Sequence, residues 1–565
     1  MGITSVKKGI STNTAAYVSG KAENKMKSGK ILPITAVVLI ITVTALFSAC
    51  SKIDYGMSPI TETSEETPTT TPPAETSPPE TASPDKYEVK EFTITPQEYS
   101  ETLQLEQVCD NTPHNYLMGY EGSGYIQIDR HEYATFTVHV PSTQYYKLTL
   151  QMCAFDTGVN VIVGGAPYDN GEYGTYDGVS KGVIYAKDVT AFSPFTVNGI
   201  YLKKGENRIT LQSEFGMAYM DKVIIENGQS VSDSYYVMGN APINSNASLK
   251  TIKIMNFFSE IYGKKTITGQ RVTPGTNAEI AAIYNETGRL PVIRVSDLVC
   301  AQADNPYYDE NNTDLDLAVE WSETGGLVGY GWTWYSPDES SHYLSSMTDF
   351  SVNGVDTEKD ISLASSETIE QLYGSGEIPR ENYLLIRDID RIAEKLEYLG
   401  DKGVTVLFSP LSDGGKGGYW WSGSSEGYIW LWRTMVTRIN EYHKLNNIIW
   451  VWNGGSADYY PGDEYVDIVG ENVYNITGDS GNGIFMGTAF YKTSRAVALN
   501  ECAMIPNADA LAQDNTHWLW FSLGGGDRLI DDKGKLTEKY SSNVLLEQVY
   551  NHKDFLTLDE IPKFE

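Results

Sequence analysis

Two acidic residues in the C-terminal half of the chain follow apolar, strand-like runs. Asp413 comes after the run VTVLFSPL, and Glu501 ends the run AVALNE. Two carboxylates held about 5 to 5.5 Å apart can cleave a glycosidic bond with retention of configuration, because one protonates the leaving oxygen while the other attacks the anomeric carbon. The pair therefore predicts a sugar-cleaving site in which Asp413 and Glu501 are the two carboxylates.

Aromatic and polar residues end the neighbouring strand-like runs as well. Indole rings can stack on the flat C–H faces of pyranose sugars. A tryptophan at the end of a strand is as readily part of the hydrophobic core, and a single acidic residue at that position often caps a helix. The prediction of a sugar site therefore depends on all these residues occurring together. The predicted substrate-binding residues are Trp332, Thr333, Trp420, Trp421, Trp452, Asn472 and Tyr474.

Apolar runs alternate with longer amphipathic segments from residue 248 to residue 563, with helices predicted over 388–403 and 428–446. Runs that are apolar on both faces are typical of parallel strands covered by helices, as in a (β/α)8 barrel or a doubly wound sheet. In a barrel the C-terminal strand ends form one active-site face, which is where the polar and aromatic residues stand. The segment GGKGG (414–418) lacks the spacing of a phosphate-binding glycine turn, so we expect an α/β TIM barrel.

The motifs of this region resemble those of glycoside hydrolase family 26, best known for endo-β-1,4-mannanases. They follow the family's order: TGQ (268–270), GWTW (331–334), SPLSDGGKGGYWW (409–421), NIIWVWN (447–453), VDIVGENVY (466–474) and ALNE (498–501). The resemblance implies a retaining, endo-acting hydrolase of β-1,4-mannan-type polysaccharide that needs no cofactor for catalysis. It places Glu501 at the family's nucleophile and Asp413 at its acid/base glutamate.

The sequence departs from the family's pattern around the acid/base position. The family reads Arg-Pro-Leu-His-Glu, whereas this chain has Ser409, Ser412 and Asp413 at the polar positions; a histidine on an earlier strand is Thr333, and an aspartate is Asn472. A carboxyl that is one methylene shorter retreats by roughly 1 to 1.5 Å, and about 1 Å of misplacement costs on the order of 100-fold in rate. Three hypotheses stay open: a hydrolase with an altered acid/base site, a catalytically impaired surface glycan-binding protein, and an enzyme re-tuned to another β-glycan.

Residues 87–230 contain short alternating strands separated by Gly, Asn, Asp and Pro, which predicts an all-β sandwich. The segments that resemble a jelly-roll-like carbohydrate-binding module of family 35 are GYEGSGYIQID (119–129), KKGENRITL (203–211) and MDKVIIE (220–226). That resemblance implies a structural Ca²⁺ bound by Glu106 and Asp221, and carboxylates suit this hard cation. Gln104 stands where a second acidic residue is common in that family.

An apolar run, ILPITAVVLIITVTALFSA, occupies residues 31–49 after a lysine-containing segment, which is the layout of an export signal. Small residues precede Cys50, and this junction resembles the lipobox of a bacterial lipoprotein. It implies a signal peptide over residues 1–49, lipidation of Cys50 and an extracytoplasmic, cell-surface location; the alternative is an uncleaved signal anchor, because the run is long enough to span a bilayer. Residues 50–86, rich in Pro, Thr, Ser and Glu, predict an extended linker.

Charge and cysteine content limit the partners. The net charge of -32 argues against nucleic acid, because phosphate binding relies on clustered Lys and Arg, and it is compatible with a neutral polysaccharide. The 5 cysteines are too few for a fold built on disulfides, and no Cys/His cluster predicts zinc. The expected partners are a polysaccharide and, through the lipid anchor, a membrane; the chain is expected to be a monomer.

Overall fold

The computed structural model describes most of the chain after residue 95. The described ranges are 96–165, 168–169, 172–173, 178–301, 311–338, 342–473, 480–490 and 495–565. The predicted signal peptide, Cys50 and the linker lie outside these ranges, as does Tyr474. Within them, no helix combines the length and the apolar character needed to cross a membrane.

The first described region, residues 96–230, consists mainly of antiparallel strands and is called the β region below. Its strands are Ser100–Gln104, Pro113–His114, Tyr125–Ile128, Tyr133–Val140, Gln144–Val163, Val179–Leu202, Gly205–Phe215 and Ala218–Asn227, with a small hairpin of Tyr168–Asp169 and Glu172–Tyr173 and a one-turn helix, Leu105–Val108. Apart from the small hairpin, hydrogen bonds join the described strands into one sheet. Each strand segment predicted from the sequence overlaps one of them, but two separate sheets, as in a sandwich, are not confirmed.

The strand Val179–Leu202 shows why the alternation of apolar and polar residues predicts only some of the strands of this sheet. Among the described strands it pairs with Gln144–Val163 alone, so it lies at an edge of the sheet. Pro194 is tolerated there, since an edge strand can lack an N–H without breaking the interior hydrogen bonds. By contrast, Tyr133–Val140 is paired along its whole length and buries every second side chain, which is the regular alternation that a sequence reveals.

Eight parallel strands of the described chain close into a barrel, which confirms the predicted TIM barrel. They are β1 (Thr266–Arg271), β2 (Ile293–Asp297), β3 (Leu327–Trp332), β4 (Val406–Pro410), β5 (Ile448–Trp452), β6 (Ile468–Val473), β7 (Ala496–Cys502) and β8 (Trp520–Leu523). Neighbours pair in chain order, and β8 pairs with β1, which also pairs with β2. Every residue of β2 to β6 is buried, because these strands are covered on both faces.

Strands β1 and β8 close the barrel but give a weak sequence signal. The run TITGQR is mostly polar, and WFSL is only 4 residues long. Gly269 in β1 allows the two strands to approach, because a Cβ at this position would lie 2.7 Å from the carbonyl oxygen of Phe521. The closure of the barrel therefore depends on a glycine contact that hydrophobic periodicity does not report.

Helices surround the barrel. They are α1 (Leu249–Ile261), α2 (Ala278–Thr287), α3 (Thr313–Glu323), α4 (Ser366–Ser375), α5 (Arg380–Asp401), α6 (Ser425–Thr437), α7 (Asn482–Phe490), α8 (Ala508–Gln513) and α9 (Asn543–Tyr550). The predicted helix 388–403 is the C-terminal part of α5. The predicted helix 428–446 begins within α6 but continues as a π-helical turn, in which the buried Arg438 donates to Asp390 at 2.8 Å.

The β region packs directly on the barrel through α7 and α8. Asn482 Nδ2 in α7 donates to the Gly199 carbonyl oxygen at 2.7 Å, and the Tyr145 hydroxyl donates to Asp514 Oδ1, next to α8, at 2.6 Å. Gly483 lies so close to the edge strand that a Cβ there would be 1.8 Å from a backbone oxygen. The two regions therefore share a tightly packed junction.

Candidate active site

Strand β7 brings Glu501 to the C-terminal face of the barrel. Arg528 Nη1 donates to its Oε1 at 3.4 Å, and Arg271 Nη1 lies 3.8 Å from its Oε2. The Glu501 side chain keeps 18% of its surface exposed, so it can meet a ligand. Two guanidinium groups thus orient an accessible carboxylate and place positive charge beside it, which suits an anionic nucleophile.

A chain of hydrogen bonds extends from Glu501 to Thr333. Arg271 Nη2 donates to Asp297 Oδ2 at 2.9 Å, and the Thr333 hydroxyl donates to the same oxygen at 2.9 Å. Thr333, predicted as a substrate-binding residue, therefore holds Asp297, which holds the arginine beside the nucleophile. The sequence reasoning missed Arg271, Asp297 and Arg528, although the first two end strands β1 and β2 and fit the strand-end argument used for the other residues.

Asp413 does not close a strand, which corrects the sequence interpretation. Strand β4 ends at Pro410, and Asp413 lies in the following loop with a left-handed backbone of φ 56°. The loop is fixed from two sides: the Asp413 N–H donates to the Asn453 carbonyl at 2.7 Å, and Trp421 Nε1 donates to the Ser412 carbonyl at 3.0 Å. The position of the Asp413 carboxyl is therefore set by tertiary contacts of the loop.

The Asp413 carboxylate is engaged by two neighbours. Lys416 Nζ lies 3.0 Å from Oδ1, and Asn472 Nδ2 donates to Oδ2 at 2.9 Å. Asn472 is paired with Glu501 in the register of β6 and β7, so it stands between the two acidic residues. Of the predicted polar residues, Asn472 and Glu501 line one cavity at the centre of this face, whereas Asp413 and Thr333 do not. Arg271, Ser409 and Ser412 line the same cavity.

Tyr419 is a further residue of this face that the sequence reasoning missed. Its ring stacks on Trp421 with a centroid distance of 4.6 Å and an interplanar angle of 2°. Burial raises the pKa of Tyr419 to about 12, with smaller contributions from the negative charges of Asp413 and Glu501. The hydroxyl therefore stays protonated at neutral pH and can donate a hydrogen bond.

The predicted tryptophan platforms are buried in the barrel core. Trp420 and Trp452 are 0% exposed, and Trp332 and Trp421 are 3% exposed. Trp332 stacks on Trp334 at 3.9 Å. Since a ring must show a face to solvent before a sugar can stack on it, the platform interpretation does not fit Trp420 and Trp452 in this structure. These rings pack the loops behind the site and hold the acid/base loop in place.

In the β region, the side-chain oxygens of Gln104 and Glu106 lie near Gly122, and those of Asp221 accept from the adjacent Glu121 N–H at 3.1 and 3.2 Å. A Cβ on Gly122 would lie 2.5 Å from Glu106 Oε1 and 3.2 Å from Gln104 Oε1. Gln104 Oε1 and Glu106 Oε2 are buried and accept no hydrogen bond from the described residues. Burial raises the pKa of the nearby Asp221 to about 6, and Glu106 adds a smaller repulsive contribution. Such oxygens fit a hard cation like Ca²⁺, and Gln104, with an amide in place of a carboxylate, still supplies one.

The barrel and its polar face together define a class of protein. A closed (β/α)8 barrel with a cavity at the C-terminal strand ends, and acidic residues beside it, is the architecture of a glycosidase of the TIM-barrel type. The family-level comparison agrees with this class. The chain belongs to glycosyl hydrolase family 26, whose model matches residues 243–560, and it is a glycosidase.

Similar proteins extend over both regions. Mannan endo-1,4-beta-mannosidase B of Piromyces sp is 28% identical over 79% of this chain and 74% of its own length. The mannan endo-1,4-beta-mannosidase of Thermothelomyces thermophilus is 29% identical over 78% of this chain and 86% of its own length. A crystal structure of a Podospora anserina GH26-CBM35 beta-(1,4)-mannanase covers 82% of this chain and 99% of its own, with 25% identity and a TM-score of 0.51.

Proposed function

We propose that this chain is a retaining, endo-acting hydrolase of β-1,4-mannan-type polysaccharide whose acid/base site is altered. The observation that carries the proposal is the environment of Glu501, an accessible carboxylate between Arg271 and Arg528 at the edge of the central cavity. This is the setting of a nucleophile that attacks an anomeric carbon. The similar mannosidases support a mannan-type substrate.

The contacts of Asp413 support the altered acid/base site. A general acid has to direct its carboxyl at the leaving oxygen, whereas Lys416 Nζ lies 3.0 Å from Asp413 Oδ1 and holds this carboxyl at the side of the loop. Asn472 also donates to this carboxylate. Proton delivery to the leaving oxygen is therefore expected to be weaker than from a longer, unpaired glutamic acid, and a residual activity is expected.

The proposal is tested by incubating the purified protein with galactomannan, glucomannan, β-1,3- and β-1,4-glucans and xylan, and measuring new reducing ends. We expect cleavage of the mannans at internal bonds, with the released sugar first appearing in the β configuration by NMR. The Glu501→Ala variant is the blank. Binding of a mannan without reducing ends above this blank would instead support the glycan-binding hypothesis, and preferential cleavage of a glucan or xylan would support a re-tuned enzyme.

We also propose that Gln104, Glu106 and Asp221 bind a structural Ca²⁺ in the β region, which we take to be a carbohydrate-binding module. The folded state alone presents these oxygens together, so Ca²⁺ at 100 times its Kd is expected to stabilise it by about 2.7 kcal/mol. Thermal melts with Ca²⁺ and with a chelator measure this. Glu106→Gln is expected to abolish the difference, while the matched change Glu206→Gln at an exposed position retains it; equal melting temperatures with and without Ca²⁺ in the unchanged protein would contradict the site.

A further inference from the structure

A second cavity lies at the junction of the β region and the barrel. Its volume is about 480 Å³, and small-molecule sites commonly enclose about 300–1,000 Å³. One wall comes from strands of the β region and includes Ser180 and Phe195. The opposite wall comes from the barrel and includes Lys416, Glu471 and Asn472. The cavity is thus built jointly by both regions.

The position of this junction cavity relates it to the proposed acid/base residue. Asn472 lines both the junction cavity and the central cavity that contains Glu501. Lys416 and Asn472 both contact the Asp413 carboxylate, and Glu501 does not line the junction cavity. An acid/base residue stands on the leaving-group side of the bond that is cleaved, because it protonates the leaving oxygen. The junction cavity therefore extends the site in the leaving-group direction.

The lining suits a neutral sugar chain. Phe195 is partly exposed and presents a flat apolar ring to the cavity, a surface on which the C–H face of a pyranose can stack. Asn472 is 8% exposed and lines the cavity, and its buried Oδ1 accepts no hydrogen bond from any described residue. Lys416 Nζ lies 3.8 Å from Glu471 and 3.0 Å from Asp413, and Asp458 also lines the cavity. The charged part of the lining is therefore slightly acidic, which suits a neutral sugar better than an anion.

We infer that the junction cavity is the leaving-group part of the substrate site, and that the β region forms its outer wall. It binds the β-linked hexose units that follow the cleaved bond. The inference rests on the proposed function and deepens it, because it makes the β region part of the cleft. The contacts of Asn482 with Gly199 and of Tyr145 with Asp514 hold this wall in place.

The test compares two substrates and two phenylalanines in the full chain. Phe195→Ala is expected to lower kcat/KM for mannohexaose about three- to tenfold, the size of one lost aromatic contact. It is expected to lower kcat/KM less for an aryl β-mannobioside, whose leaving group is a single ring and occupies less of the junction cavity than a sugar chain does. The matched control is Phe155→Ala, which removes a ring that is 61% exposed and does not line the cavity.

A second variant and a binding measurement keep the outcomes separate. Ala457→Trp fills the cavity from the barrel side, is expected to lower mannohexaose turnover as well, and does not depend on the packing of Phe195. Calorimetry with mannohexaose, with each variant placed in the Glu501→Ala background, reads binding without turnover. If binding falls in Phe195→Ala but no protein cleaves mannan, the proposed function is wrong and the junction cavity stands as a glycan-binding site alone. If both phenylalanine variants and Ala457→Trp bind and cleave mannohexaose like the unchanged protein, the junction site is overturned and the proposed function stands.

Discussion

Glu501→Ala lowers kcat/KM for mannohexaose by on the order of 10⁴-fold or more, the expected cost of removing a nucleophile. The reason is that Glu501 alone carries a carboxylate among the described residues that line the central cavity. The change also leaves Arg271 and Arg528 beside an empty space, which gives the variant a specific property. A small anion such as azide is expected to bind between them, attack the anomeric carbon and displace the leaving group, so that a glycosyl azide of inverted configuration accumulates.

The rate loss is measured with purified protein from initial rates, and the azide product by NMR. Glu394→Ala is a suitable control, because Glu394 is an exposed glutamate of α5 that lines neither cavity, and its removal is expected to leave the rate unchanged. Retention of more than a few per cent of the activity in Glu501→Ala would show that another residue is the nucleophile.

The second large effect is expected from lengthening the acid. Asp413→Glu should raise kcat/KM for mannohexaose about 10- to 100-fold, since the added methylene moves the carboxyl by roughly 1 to 1.5 Å. Asp413 itself does not line the central cavity, whereas its neighbour Ser412 does. The longer side chain can therefore reach beyond Lys416 and Asn472 toward the leaving oxygen.

A dinitrophenyl β-mannobioside separates proton delivery from other effects. The dinitrophenyl leaving group departs without protonation. Asp413→Glu should therefore change the cleavage rate of this substrate far less than the cleavage rate of mannohexaose. The ratio of the two rates is the decisive quantity. Asp413→Asn is the control that keeps the length and removes the acid. An unchanged ratio in Asp413→Glu, or a lower rate on mannohexaose, would contradict the account of a shortened acid.

The site residues differ in how far the sequence determines them. Glu501 lies where its strand predicts, because a parallel strand delivers its last side chains to one face of the barrel. Arg271 and Asp297 obey the same rule and were predictable from it. Asp413 follows a different rule: its left-handed backbone and its contacts with Lys416 and Asn472 arise from segments that meet only in the folded chain.

The tryptophans show most clearly what cannot be predicted from the sequence alone. A sugar platform and a core residue have the same side chain, and the difference is whether other segments cover the ring. Trp420 packs against Trp334 and Phe350, each with a centroid distance of 5.1 Å, and both partners are many residues away in sequence. The barrel was predictable because its strands repeat a local pattern, whereas the burial of one indole depends on loops that have no such pattern.

The packing of α7 against the β region also bears on how this chain can evolve. Asn482 and Gly483 fit the backbone of one particular edge strand, and α7 precedes the strand that carries Glu501. Replacing the β region by an unrelated module through recombination would leave this helix face without its partner and open one side of the cleft. The two regions are therefore expected to evolve together, so that a substitution on one side of the junction requires a matching substitution on the other.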